Sequence, residues 1–299
     1  MSVKRLLVID GNAVLHRAYY ALPDWRNRSG EATAGVYGFL SMLLKAMEEL
    51  KPTHLAVVFD SPEPTFRHTM YVGYQTNREK ERQVSEDIWG QVEKLKIVFE
   101  KMKVPVFVAP GFEADDVIGT ISKQAEEEVV IITGDRDLMQ LVNNKVKLYM
   151  PLRGMTDMVI VDEEKVLERM GVHSNQIIDY KGLVGDSSDN YPGVTGIGPR
   201  TAGHLLAEYG TLEKVYENLK NVPEKLRNKL AEGYEAAILS QKLATIRLDA
   251  PVTWEEKRCV IPDQETIVKV LVELGYKSLI KRITGEEAKL DDKQAKLFE

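Results

Sequence analysis

The stretch VKRLLVID, residues 3–10, decides the fold. Two basic residues lead into the apolar run Leu6 to Ile9, which ends at once in Asp10 and Gly11. An unbroken apolar run bounded by a turn signal reads as a strand buried on both faces. Three later stretches repeat the form: THLAVVFD (53–60), VPVFVAP (104–110) and EVVIITGD (128–135). Between them, GVYGFLSMLLKAMEEL (35–50), closed by Pro52, and IWGQVEKLKIVFEKM (88–102) carry helical spacing. Strands alternating with helices predict an α/β fold, with a mostly parallel central sheet and helices on both faces. Ligands of such sheets bind beyond the carboxyl ends of the strands.

Acids gather at that rim. Asp10, Asp60 and Asp135 each close a strand run. GFEADDVIGT (111–120) places Glu113, Asp115 and Asp116 at a helix start just after the third strand. TGDRD (133–137) adds Asp137, and VGDSSDN (184–190) adds Asp186 and Asp189. One strand-end Asp is ordinarily a turn or cap residue, and acids in a first helical turn complement the macrodipole. Nine acids delivered to one rim would repel each other and raise each other's pKa unless cations hold them. Oxygen donors of this kind suit Mg²⁺ or Mn²⁺. Two such ions about 3.5–4 Å apart activate water and stabilise the leaving oxygen in phosphodiester hydrolysis.

The glycine-rich stretch PGVTGIGPRTAGHLL (192–206) follows the last acid pair. Gly193, Gly196 and Gly198 fall in a turn between helical patterns, and Pro199 suits the first turn of the second helix. Backbone N–H groups at such a turn can approach a phosphate closely. With Arg200, Thr201 and Lys181 these residues are the candidates for binding a DNA backbone, a contact that positions without reading sequence. A plain helix–turn–helix connection is the alternative for the glycines, and a solvated charge for either Lys181 or Arg200.

These signals divide the chain. Residues 1–161 form the α/β core, including the polar, weakly periodic insertion 61–90. Residues 162–284 read as helices broken by Gly, Pro and Asn, with a helix-hairpin-helix at 188–208. Residues 285–299 are charged, lack a core pattern, and read as a flexible tail or linker.

With 299 residues, 43% of them hydrophobic, the chain can bury a sizeable core. Its single cysteine, Cys259, excludes an intrachain disulfide and a cysteine-based zinc site. The first apolar run is too short for a signal peptide or a membrane span, so a cytoplasmic setting without membrane contact is expected. The net charge of −6 argues against a nucleic-acid partner only until the acids expected to hold metal are set aside; the remainder is slightly basic.

Taken in order and spacing, LLVIDGNAVLHRAYYAL, VVFDSPEPTFRH, GFEADDVIGT, TGDRDLMQL and LVGDSSDNYPGVTGIGPRTA closely resemble the flap-endonuclease family. Within it they resemble the 5′–3′ exonuclease domain of bacterial DNA polymerase I and its stand-alone bacterial relatives, over residues 3–283. The resemblance implies a PIN-like 5′-nuclease fold and a structure-specific nuclease acting on flaps, nicks and RNA primers at the junction where a 5′ strand leaves duplex DNA. It implies that Asp10, Asp60, Glu113, Asp115, Asp116, Asp135, Asp137, Asp186 and Asp189 are the metal-site acids, with two divalent ions and K⁺ near the glycine hairpin. Residues 61–90 become the helical arch over the 5′ strand, and Tyr74, Arg78 and Arg67 its catalytic or basic positions. A polymerase domain following in the same chain is implied as one arrangement.

One departure stands out. The family's arch reads Y-K-A-N-R, and this chain reads YQTNR (74–78). Gln75 brings no charge to the oxyanion where a lysine normally approaches the scissile phosphate. Slower hydrolysis with intact shape recognition is the expectation, unless Arg78, Lys80 or Arg82 compensates. In the tail, QAKLF (294–298) resembles the Q-x-x-L-F peptide that docks on the sliding clamp; a solvated tail is the plainer reading. A PIN-type ribonuclease would share the acid rim but lack the arch, the second acid pair and the glycine hairpin. A haloacid-dehalogenase phosphatase would need an acid where Asn12 stands. A non-catalytic branched-DNA binder is the alternative that Gln75 suggests.

Overall fold

The computed structural model describes residues 4–26, 30–76, 82–154 and 157–285, with 82–85 and 153 as backbone only. Six strands form one sheet: β1 (Arg5–Asp10), β2 (His54–Val58), β3 (Val106–Phe107), β4 (Glu128–Ile132), β5 (Val146–Arg153) and β6 (Asp157–Val161). Their order is β3-β2-β1-β4-β5-β6, parallel except for the antiparallel edge strand β6. The first half also carries α1 (Gly11–Ala21), α2 (Ala34–Leu50), the short α3 (Phe66–Met70), α4 (Arg82–Lys101) and α5 (Ala114–Gln124). After β6 come α6 (Glu163–Met170), α7 (Ile177–Val184), α8 (Pro199–Tyr209), α9 (Leu212–Glu217), α10 (Glu224–Glu232), α11 (Tyr234–Ala244), α12 (Gln264–Glu273) and α13 (Lys277–Thr284).

The central strands are apolar on both faces because each face is covered. Leu6, Val8, Ala56, Val129 and Ile131 point toward α5 and the later helices. Leu7, Ile9, Leu55, Val57 and Ile132 point toward α2 and α4. Each fully buried Leu, Ile or Val contributes about 1.5–3 kcal/mol, so both layers are anchored on β1. The helices at the end of the described chain return to the first half. Ile267 and Leu271 of α12, and Leu279 and Ile280 of α13, join the cluster around Phe39 of α2 and Phe99 of α4. Backbone bonds from Leu55 N–H to the Cys259 carbonyl and from Ile261 N–H to the Thr53 carbonyl tie the same return to the sheet.

Three local expectations differ from what forms. The run at 104–110 pairs as a strand only at Val106 and Phe107, because Pro105 cannot donate to a ladder and Pro110 ends it. Residues 146–153 and 157–161 form a strand pair that the apolar-run pattern misses, since Lys147 and Pro151 interrupt it. The 61–90 insertion contains α3 and the start of α4.

Among the described residues, no helix is long and apolar enough to cross a membrane. Arg78, Lys80 and the peptide at 294–298 lie outside the described residues, as do the side chain of Arg82 and the tail beyond residue 285.

Candidate metal centre

The carboxyl ends of the strands place the acids. Asp10 ends β1 and caps α1, accepting from Ala13 N–H at 3.1 Å and from the Thr133 hydroxyl at 2.7 Å. The next residue must be Gly11: a Cβ there would sit 2.4 Å from the Phe59 ring and 2.6 Å from the Val58 carbonyl oxygen. That close approach brings the start of α1 against the end of β2, where Asp60 follows. Asp60 is fixed by Asn12, which accepts its N–H, and by Ala114 N–H, which donates to its carboxylate at 2.7 Å. Thr133 also accepts the Asp135 N–H at 2.9 Å, and Asp135 in turn caps the turn that carries Asp137.

Glu113, Asp115 and Asp116 open α5, but they do different things. Glu113 and Asp116 form a capping box, so each is tied to the helix start. Asp116 is fully buried, and both its oxygens receive Arg67, at 2.8 and 2.9 Å. It also accepts N–H bonds from Glu113 at 3.1 Å and Arg247 at 2.8 Å. Arg67 is itself 2% exposed and donates further to the carbonyls of Leu243 and Thr245. Asp116, expected among the metal-site acids, and Arg67, expected among the catalytic or basic positions, thus meet each other in a buried ion pair. Four donors already use the Asp116 carboxylate, and the Arg67 guanidinium is locked inside the protein between α3, α5 and the segment after α11. Arg67 reaches Glu113 as well, at 3.2 Å, and Tyr74 donates to Glu113 at 3.1 Å.

Asp115 has the opposite character. Burial first, then Asp135, Asp10, Asp137 and Glu113, push its carboxyl well above the ordinary range. Asp10 is pushed up to about 7 by burial with Asp135 and Asp60 nearby. Glu113 rises to about 7 by burial, opposed by Arg67 and reinforced by Asp60, Asp116 and Asp189. Asp137 also rises to about 7, by burial and Asp135 against Lys181. Carboxyls from four strand ends thus share one field of negative charge that Arg67 and Lys181 offset only in part.

A second group adjoins it. Oxygens of Asp137, Asp186 and Asp189 lie within 4.8 Å of one another. Asp186 and Asp189 stand on the loop after α7, closed by a backbone bridge between Asp186 and Tyr191. Lys181, expected beside the glycine turn, instead sends its ammonium between Asp137 and Asp186. Burial opposes its charge, but those acids hold its pKa up, so it stays protonated. Asp186 is held low despite burial, by Lys181 and Ser188. A half-neutralised cluster of hard oxygens fits a Mg²⁺ or Mn²⁺ that keeps part of its water shell. Asp10, Asp60, Glu113, Asp115 and Asp135 on one side, and Asp137, Asp186 and Asp189 on the other, are the residues that would hold ions, with Asp116 behind them on Arg67.

The glycines do not share one task. Gly193, at φ 61°, crosses Gly185, at φ 75°. A Cβ on Gly193 would lie 2.3 Å from the Gly185 nitrogen, so this glycine closes the acid loop. Gly196, at φ 79°, faces Lys229, whose ammonium donates to its carbonyl at 3.1 Å. Gly198 caps α8 beside open space, next to the exposed Arg200 and the half-buried Thr201. Sequence reasoning missed Lys229, thirty-odd residues away on α10. It also missed Thr133, Asn12 and Tyr191, although Thr133 stands inside TGDRD.

The raised carboxyls set a pH dependence. Between the ordinary carboxylate range near 4 and about 7 the folded protein holds protons that the unfolded chain has released. Stability therefore falls as pH rises through that window. Without metal, the melting temperature at about pH 8 is expected several degrees below that at about pH 5.5, and Mg²⁺ at pH 8 should restore it. Thermal unfolding in EDTA checks this; a melting temperature that climbs from pH 5.5 to 8 would contradict the buried-acid field.

Residues 5–171 match the family described as 5′-3′ exonuclease, N-terminal resolvase-like domain, and residues 172–266 match 5′-3′ exonuclease, C-terminal SAM fold. DNA polymerase I of Bacillus caldotenax is 39% identical over 98% of this chain and 34% of its own length. DNA polymerase I of Bacillus subtilis (strain 168) is 36% identical over 98% of this chain and 34% of its own length. The chain thus spans about a third of the length of these relatives. In fold it is similar to a bacteriophage T5 flap endonuclease solved as a pseudo-enzyme-product complex with DNA and metal ions. That match has a TM-score of 0.67 and 21% identity, and covers 94% of this chain and 97% of that one.

Proposed function

From the premise that this chain belongs to the 5′-3′ exonuclease family, we propose that it is a metal-dependent structure-specific 5′ nuclease. It hydrolyses phosphodiester bonds of flapped, nicked or RNA-primed DNA, as 5′–3′ exonuclease and 5′-flap endonuclease, in replication and repair in the bacterial cytoplasm. The observation that carries this reading is the meeting of carboxylates from four strand ends with the acid pair on the loop after α7. Divalent ions bound there, proposed as two Mg²⁺ or Mn²⁺, would supply Lewis acidity and an activated water.

The protein's own part is to shape and orient. Thr133 fixes Asp10 and Asp135 together, so the first acids cannot turn away from the rim. Lys181 keeps Asp137 and Asp186 on one side of the site. The turn at Gly196 and Gly198, with Lys229, Arg200 and Thr201, offers N–H groups and positive charge to the duplex backbone, and K⁺ is proposed beside it. The division of labour follows the chain: residues 1–161 cut and residues 162–284 hold. Arg78 belongs to the same proposal as an arch residue, as do a polymerase that acts on the processed end and sliding-clamp docking through residues 294–298. Deleting residues 290–299 should abolish clamp binding.

The test is cleavage of a labelled 5′-flap duplex with Mg²⁺. Product cut near the junction is expected, with none in EDTA. Binding of the flap without cleavage under both conditions would reduce the protein to a branched-DNA binder. In either case affinity should fall steeply with salt.

A further inference from the structure

Residues 73–76, at the foot of the insertion, are sewn to residues 189–190 by four hydrogen bonds. Gln75 N–H donates to the Asp189 carbonyl at 3.0 Å. The Gln75 side-chain amide donates to the Asp189 carboxylate at 3.0 Å. The Asn190 amide donates back to the Gly73 carbonyl at 2.7 Å and to the Thr76 hydroxyl at 3.0 Å. Each side of the seam has one non-glycine residue in the left-handed region, Gln75 at φ 54° and Asn190 at φ 59°. Asn tolerates that region; for Gln it is strained, and strain of about 1–3 kcal/mol persists only where the surroundings over-determine it. The seam does so. One residue earlier, Tyr74 is 4% exposed, packs on Tyr191, and donates to Glu113. Two adjacent residues therefore each grip one acid, Tyr74 from the first group and Gln75 from the second.

We propose that Gln75 is a positioning residue for the second metal group: its amide aims the Asp189 carboxylate beside Asp137 and Asp186, so that ion affinity there depends on the foot of the insertion. The proposal rests on the metal-centre reading above. It gives the neutral amide a task that a charged side chain would perform badly. A lysine at 75 turned toward Asp189 would compete with the ion for that carboxylate, and one turned toward a scissile phosphate, as the family resemblance implies, would leave Asp189 unaimed. Gln75→Lys should then need more Mg²⁺ to reach its full rate, whatever that rate is. The amide can donate to Asp189 and leave its negative charge intact.

The test is Mn²⁺ titration of the DNA-free chain, followed by electron paramagnetic resonance and calorimetry. The proteins are the parent, Gln75→Ala, Asp189→Asn and the double variant. Partners that orient a metal ligand are worth about 10–100-fold in affinity, so Gln75→Ala should weaken one class of Mn²⁺ site by about tenfold and leave the other unchanged. In the Asp189→Asn background the same substitution should cost nothing further. Gln75→Asn, which suits the left-handed backbone but is one methylene too short to reach, should match Gln75→Ala and controls for backbone collapse. Melting in EDTA reports any purely structural effect separately. Unchanged Mn²⁺ isotherms in Gln75→Ala and Gln75→Asn would overturn the proposal, and so would an equal loss with and without the Asp189 carboxylate. If the parent chain itself bound no Mn²⁺, the metal-centre reading would fall, and this inference with it.

Discussion

Asp115→Asn is expected to lose about a hundredfold to a thousandfold in single-turnover flap cleavage and, at the same time, to melt at a higher temperature in EDTA at alkaline pH. The two effects have one cause. The Asp115 carboxylate is held in a buried field set by Asp135, Asp10, Asp137 and Glu113, and its ionised form is costly without a counter-ion. Asn keeps the shape and removes the charge. At alkaline pH, where the parent carboxyl is driven to ionise, the metal-free variant is relieved of that repulsion and gains stability. The site loses a charge that draws divalent ions, and one preorganised electrostatic element is commonly worth 10²–10³ in rate. A rate within tenfold of the parent at saturating Mg²⁺ would show that the ions do not depend on Asp115.

Asp116→Asn should do the reverse: lower stability strongly, and reduce activity only through the folded fraction. Its carboxylate faces the Arg67 guanidinium, and neither side chain has more than 3% of its surface exposed. Removing one partner of a buried pair costs about 3–5 kcal/mol because the other charge is left stranded. For a protein of this size that corresponds to roughly 10 °C in melting temperature. The same substitution loosens the start of α5, since the Glu113 N–H loses a charged acceptor. Arg67→Ala should fall by a similar amount. An unchanged melting temperature in both variants would return Asp116 to the metal ligands.

Two neighbouring letters thus separate into an acid among other acids and an acid paired with a buried arginine, which the chain order could not reveal. Successive residues on a helix point about 100° apart, and the partner that claims Asp116 is 49 residues distant. The acid rim itself was legible because fully apolar strands end in Asp, and in a parallel sheet all those ends lie on one side. Strands β5 and β6 were not, since Lys147 and Pro151 break the apolar run and their pairing is antiparallel at an edge. Lys181 reads as a surface cation until α7 brings it over Asp137. The Gln75 contact depends on a left-handed backbone that propensity would assign to glycine or asparagine. Composition and periodicity therefore carried the scaffold and the chemistry of the rim. Which acid faces which donor was decided by packing between segments far apart in the chain.

The return of α12 and α13 to the first half has a consequence for biosynthesis. The apolar faces of α2 and α4 stay uncovered until residues near Thr284 have left the ribosome. A partly made chain is thus expected to be protease-sensitive and unable to cut nucleic acid. Arrested nascent chains carrying residues 1–250 or 1–299 ahead of a linker long enough to clear the exit tunnel, probed with protease, would report when that latency is lifted.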